Sequence, residues 1–132
     1  MPILAANSTW YKSSTDKATI TKITFMDSYT PTGSEDESWD ASAAQNTLAM
    51  AYRTGTEIII AGNGAGKIYA NVDSSFVFNG FSALTTLTGT DVVDTSNVTT
   101  MRAMFQNCKA LTSLDVTNFD TSNVTDMSYM FS

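Results

Sequence analysis

A near-duplicate segment constrains this chain more than any other feature. Residues 94–106 return as residues 120–132 with nine identities in thirteen positions, at an offset of 26. The repeated positions include Val98 and Val124, Met101 and Met127, Met104 and Met130, and Phe105 and Phe131. Their spacing of i, i+3, i+6, i+7 predicts one apolar face of a short helix. Asp94, Thr95, Ser96 and Asn97 precede that face, as residues 120–123 do in the next copy, and read as N-caps for the first helical N–H groups. A leucine step follows: Phe78, Leu84 and Leu87 correspond to Phe105, Leu111 and Leu114 at an offset of 27. Leu114-Asp115-Val116 alternates like a strand. The unit predicted is a capped short helix, a turn and a strand of about five residues, too small to bury its apolar face without stacked neighbours.

Residues 94–131 resemble the BspA-like leucine-rich-repeat surface proteins, through segments such as Leu111-Thr112-Ser113-Leu114-Asp115-Val116 and Asn123-Val124-Thr125-Asp126-Met127-Ser128-Tyr129-Met130-Phe131. The likeness extends more weakly back to 73–78, as a degenerate first helix. The resemblance implies a right-handed α/β solenoid used for display and adhesion, with no catalytic residues to carry over. It also implies settings on bacterial surfaces and in phage or prophage structural genes.

Residues 1–71 lack the period. The runs 20–25 and 48–52 alternate apolar with small or polar side chains, as half-buried strands do. Pro31 to Ser38 combines turn formers with acids and reads as a solvated loop. Thr54-Gly55 and the glycine-rich 62–66 separate 48–52, 58–60 and 67–70, predicting a three-stranded antiparallel meander. The expected architecture is therefore α/β and β-rich: an N-terminal antiparallel β meander (1–71) that caps a right-handed leucine-rich-repeat-like solenoid with short helices (72–132). That solenoid would hold about two and a half repeats.

Composition narrows the function. With no histidine and one cysteine among 132 residues, the commonest general base and any intramolecular disulfide framework are missing. A formal charge of −6 opposes nucleic acid and anionic membranes. In their place stand 21 threonines and 15 serines. No signal peptide is visible at the start, and no apolar run approaches the roughly 20 residues a membrane span needs.

Several local patterns compete with bland readings. Residues 62–67 depart from the phosphate-loop pattern at Ala61 and Ile68 and read as a glycine turn. Ser14 and Lys17 fit a Ser-x-x-Lys pattern without its partner motifs. Asp94, Asp115, Asp120 and Asp126 recur in neighbouring units, where calcium sharing competes with capping, the favoured reading. Cys108 aligns with Phe81 and reads as a buried structural thiol. Sequons at Asn7, Asn97 and Asn123 are read as unmodified.

The expected function is non-enzymatic, without cofactor or metal: display and recognition of a protein or glycan ligand, as a phage virion component such as a fibre or decoration protein. The alternative is a bacterial cell-surface adhesin. A small hydrolase using Glu35 with Asp40 is the enzymatic rival and requires a raised carboxyl in a cleft. The expected binding face is Thr86, Thr88, Ser113, Asp115 and Thr117, outward if Leu87, Leu114 and Val116 point in. Met127, Met130 and Phe131 are expected to form a partly exposed assembly patch, covered by further repeats, self-copies or other virion proteins.

Overall fold

The computed structural model describes all 132 residues. An interior strand of its main sheet is β1 (Lys22–Met26), where Ile23 and Phe25 point into the core and Lys22, Thr24 and Met26 lie half-exposed on the other face. Such period-two alternation specifies a sheet with one covered side. Around β1 a five-stranded mixed sheet assembles in the order β2 (Glu37–Asp40), β3 (Met50–Thr54), β4 (Glu57–Ala61), β1, β6 (Thr86–Thr88). β2, β3 and β4 are antiparallel, whereas β1 runs parallel to both β4 and β6. β5 (Ile68–Tyr69) leaves this sheet and pairs in parallel with β7 (Val93–Asp94).

The expected meander is thus corrected. Its third strand is not 67–70 but Glu37–Asp40, which begins within the Pro31 to Ser38 run read as a solvated loop and continues beyond it. One inward aromatic is enough to seat that strand: Trp39 is buried and its indole N–H donates to the Trp10 carbonyl at 2.6 Å. Beside it, Arg53 Nε donates to Glu37 at 2.7 Å. The glycine segment does not reverse the chain as a hairpin loop. Gly62 N–H donates to the Met26 carbonyl and Gly64 N–H to that of Asp27, so the segment folds over the end of β1 and carries Ile68 away. The turn between β3 and β4 fits expectation, with Gly55 at φ 59.

The right-handed leucine-rich-repeat-like solenoid with short helices is also corrected: the chain forms a mixed sheet with irregular segments, and no solenoid. No α-helix forms, and the 3-10 turns at Asn7–Trp10, Lys17–Thr19 and Thr90–Val92 lie outside the predicted helices. Positions 76, 103 and 129, equivalent in successive units, have φ 63, 52 and 59. A left-handed residue there stops the run of right-handed dihedrals that a helix requires. Backbone N–H groups point instead to the next unit. Ser74, Phe76, Phe78 and Gly80 donate to the carbonyls of Thr100, Arg102, Met104 and Gln106. Val98, Met101, Met104 and Phe105 are buried, so their inward direction is as the pattern implied. Their spacing is a register between units rather than a helix face: Phe78 stacks on Phe105 at 5.4 Å and Phe105 on Phe131 at 5.8 Å.

Asp94 and Asp120 cap no helix; each accepts from the serine two residues on. Nor does a strand form at 114–116. Leu114 is half-buried, and Val116, expected to point inward, is 43% exposed. Side-chain links replace the ladder there: Thr90 Oγ1 donates to the Asp115 carbonyl and Thr95 Oγ1 to that of Asp120, both at 3.2 Å.

A single cluster of 25 buried apolar residues runs from Leu4 to Met130. Trp10 sits within it, stacked on Phe81 at 5.9 Å, its indole N–H donating to the Val77 carbonyl at 2.7 Å. At the crossing of β6 and β1, a Cβ on Gly89 would come within 2.0 Å of the Phe25 carbonyl oxygen. Glycine is required there both for space and for φ 78.

Candidate functional site

Covering one face of the sheet leaves the other open. Register places Ser38, Tyr52, Ile59, Thr24 and Thr88 in one row across five strands. Thr54, Glu57, Lys22 and Thr86 form the adjacent row. The Thr88 hydroxyl donates to that of Thr24 at 3.3 Å, and Lys22 and Glu57 face each other at 4.0 Å.

Tyr29 leans on Tyr52 with ring centroids 4.9 Å apart. The loop after β1 holds it there: its hydroxyl donates to Glu35, which also accepts from Thr32 N–H at 2.9 Å and Gly33 N–H at 3.0 Å. These bonds, the Thr32 N–H first and the Tyr29 hydroxyl next, lower the Glu35 carboxyl to about 2. The same pairing raises the Tyr29 phenol, while burial and then the Glu35 charge raise that of Tyr52. Between these rings and the Lys22–Glu57 pair lies a cleft of ≈ 260 Å³ floored by Thr24, Ile58 and Ile59. Aromatic walls with hydroxyl and charged groups at the rim suit a small polar ligand that also has an apolar face.

Of the predicted binding residues, Thr86 and Thr88 stand on the edge strand of this face. Ser113, Asp115 and Thr117 are exposed on the irregular segment alongside, tied to it through the Thr90 bond to Asp115. The sequence reading missed Lys22, Thr24, Tyr29, Tyr52 and Glu57. Alternation in 20–25 carried the signal for Thr24, but nothing local shows that Tyr29 and Tyr52 meet. Of the predicted assembly patch, Met127 and Phe131 are 44% and 68% exposed, whereas Met130 turns into the core. Tyr129, not singled out from sequence, is 59% exposed with the Arg102 guanidinium 5.2 Å from its ring centre.

The recurring aspartates act as local acceptors. Asp94, Asp120 and Asp126 each take the N–H and hydroxyl of the serine two positions on, and Asp115 takes the Thr117 N–H at 2.9 Å. Those bonds hold all four carboxyls below the usual range. No three acidic or thiol side chains converge as a metal-binding set. The Lys67 ammonium sits 3.3 Å from Asp94, in a cleft of ≈ 410 Å³ shared with Asp91, Asn118 and Asp120.

The rival sites resolve into structure. Gly66 N–H donates to the Asp27 carboxylate at 2.7 Å, so that donor of the glycine loop is already taken by the chain's own acid. Lys17 lies 5.8 Å from the Phe81 ring centre, and Ser14 N–H donates to Glu37. The half-buried Cys108 thiol donates to the Phe78 carbonyl at 3.1 Å, and burial pushes its pKa up. For Asp40, burial works upward but is outweighed by bonds from Ser42 and Thr47, leaving the carboxyl lowered. Glu35 and Asp40 are therefore both the opposite of the raised acid that a hydrolase pair requires.

Comparison with known proteins adds one likeness. Residues 72–132 match a family described as "Mycoplasma protein of unknown function, DUF285". The match covers a little under half of the chain and is consistent with the BspA-like resemblance, at the level of a domain without assigned function. No curated protein matches the chain, and no solved structure does.

Proposed function

We propose that this protein is a non-enzymatic recognition and display protein, binding a glycan or protein surface through the open face of its sheet. The observation that carries the reading is the arrangement of Tyr29 and Tyr52 beside the threonine row and the Lys22–Glu57 pair. A sugar ring has apolar C–H faces and polar hydroxyl edges, and this surface offers aromatic rings beside hydrogen-bonding groups. Ser113, Asp115 and Thr117 are exposed as well and offer further polar groups for such a ligand. One shallow cleft binds weakly, so recognition would rely on many copies displayed together.

Display on a phage particle, as a fibre or decoration protein, is one setting. The second is a bacterial cell surface. Antibody labelling of virions and of cells separates the two. Binding itself is tested on a glycan array and on intact bacteria, with wild type and Tyr52→Ala. We expect wild-type binding and a loss on the order of tenfold in the variant, as for an aromatic contact residue. Equal binding by both, or none by either, rejects the sheet face as the recognition surface.

A further inference from the structure

The row on the open sheet face has a pitch and a direction. From Tyr52 it crosses to Ile59, Thr24 and Thr88, one side chain from each of four neighbouring strands. Such strands lie about 4.8 Å apart, so this part of the row runs roughly 14 Å at right angles to them. The pitch is close to the advance per sugar of an extended pyranose chain. A chain that followed the row would therefore meet a new side chain at each successive sugar.

Its groups are ordered along that line. The Tyr29 and Tyr52 rings, with centroids 4.9 Å apart, stand at the β3 end. Ile59 and Thr24 line the cleft in the middle. At the far end Thr88, exposed on the edge strand β6, donates to the Thr24 hydroxyl at 3.3 Å. A hydroxyl carries one proton and two acceptor sites, so this bond leaves the Thr24 proton and the Thr88 lone pairs for a ligand. Charge narrows the class further. Lys22 is the cation of the cleft, and Glu57 stands 4.0 Å from it. Arg53, beside Tyr52 in β3, is held by Glu37 at 2.7 Å and Asp36 at 3.5 Å. With each cation matched by an acid and a net charge of −6 on the chain, an anionic glycan gains no attraction here.

Taking the open sheet face as the recognition surface proposed above, we infer that its cleft takes a neutral saccharide chain of about three sugars laid across the strands. One ring rests on the tyrosines, and the following sugars exchange hydrogen bonds with Thr24 and Thr88. Thr88 thus sets the length that is read, whereas Tyr52 serves every length.

Calorimetric titration of the full chain tests this with size-graded cello-oligosaccharides and N-acetylchito-oligosaccharides, both neutral, and with oligogalacturonates, which are acidic. A neutral series should gain about tenfold in affinity between one sugar and three, the scale of one or two hydrogen bonds, and level off beyond. Thr88→Ala should remove most of that gain and leave the single sugar unchanged, while Thr88→Ser should keep it. Tyr52→Ala should weaken binding at every length. Thr88 is exposed, and an unchanged circular dichroism spectrum checks that its variants fold. Affinity that ignores length but still falls in Tyr52→Ala overturns the extended chain and leaves the sheet face standing as the recognition surface. Tighter binding of oligogalacturonates than of either neutral series overturns the neutral class. Binding of neither neutral series overturns the proposal too, even where a protein or another glycan binds through Tyr52. Saccharide binding that Tyr52→Ala leaves intact removes the sheet face along with it.

Discussion

Glu37 ties three separate stretches together through one carboxylate. It accepts from the Ser13 hydroxyl, from Ser14 N–H at 2.9 Å and from Arg53 Nε at 2.7 Å. Those bonds, with Ser13 the largest influence, lower its carboxyl from 4.5 to about 2. A carboxyl lowered by folding stabilises the native state above its unfolded pKa, and that contribution is lost as pH falls through the folded value. Stability should therefore decline as the pH drops from about 4.5 to about 2, where Glu35 adds a contribution of the same sign. Urea melts across this range should show Glu37→Gln less stable than wild type at neutral pH, with a flatter acid limb. An equally steep limb in the variant would place the acid sensitivity elsewhere. The partners of Glu37 were not legible in sequence, because its acidic neighbours Glu35 and Asp36 make the whole run look solvated.

The Asp-x-Ser turn is the element that repeats most faithfully, and its chemistry is local. An aspartate oxygen reaches the N–H two residues on without help from the rest of the fold. Context decides how much each turn matters. The Asp94 side chain is 15% exposed and also faces Lys67, whereas Asp115 lies in the open. Asp94→Ala should cost about 2 kcal/mol, the scale of charged hydrogen bonds lost from a partly buried site. Asp115→Ala should leave stability close to that of wild type. Chemical denaturation of both variants checks the ranking. The helix expected from the Met and Phe spacing failed at this scale for a definite reason. A period near 3.6 reports which side chains point inward, but not where the N–H groups go. At Phe76 and Ala103, neither of them glycine, positive φ accompanies an N–H that donates to the neighbouring unit.

For the whole molecule, the chain's two contrasting halves share one interior. β6 from the repeat-bearing part is hydrogen-bonded to β1, and Trp10 stacks against Phe81. The buried cluster crosses the change in sequence character without a break. Thermal unfolding should accordingly be a single transition, with Trp fluorescence and far-UV circular dichroism coinciding. Two separated transitions would mean that the parts hold their structure independently.

Sequence alone determined the 26-residue unit, the inward Val98, Met101, Met104 and Phe105 positions and the alternation of β1, because each is written in neighbouring residues. The tertiary structure alone decided that β1 lies parallel to β4 and β6, that Trp39 draws an acidic stretch into the sheet, and that Tyr29 meets Tyr52. It also decided which backbone groups bond between units. The physical reason is common to all four: each depends on which backbone or side-chain group finds a partner far along the chain. Such pairings are fixed by packing and hydrogen-bond satisfaction across the assembled core, which no local pattern records.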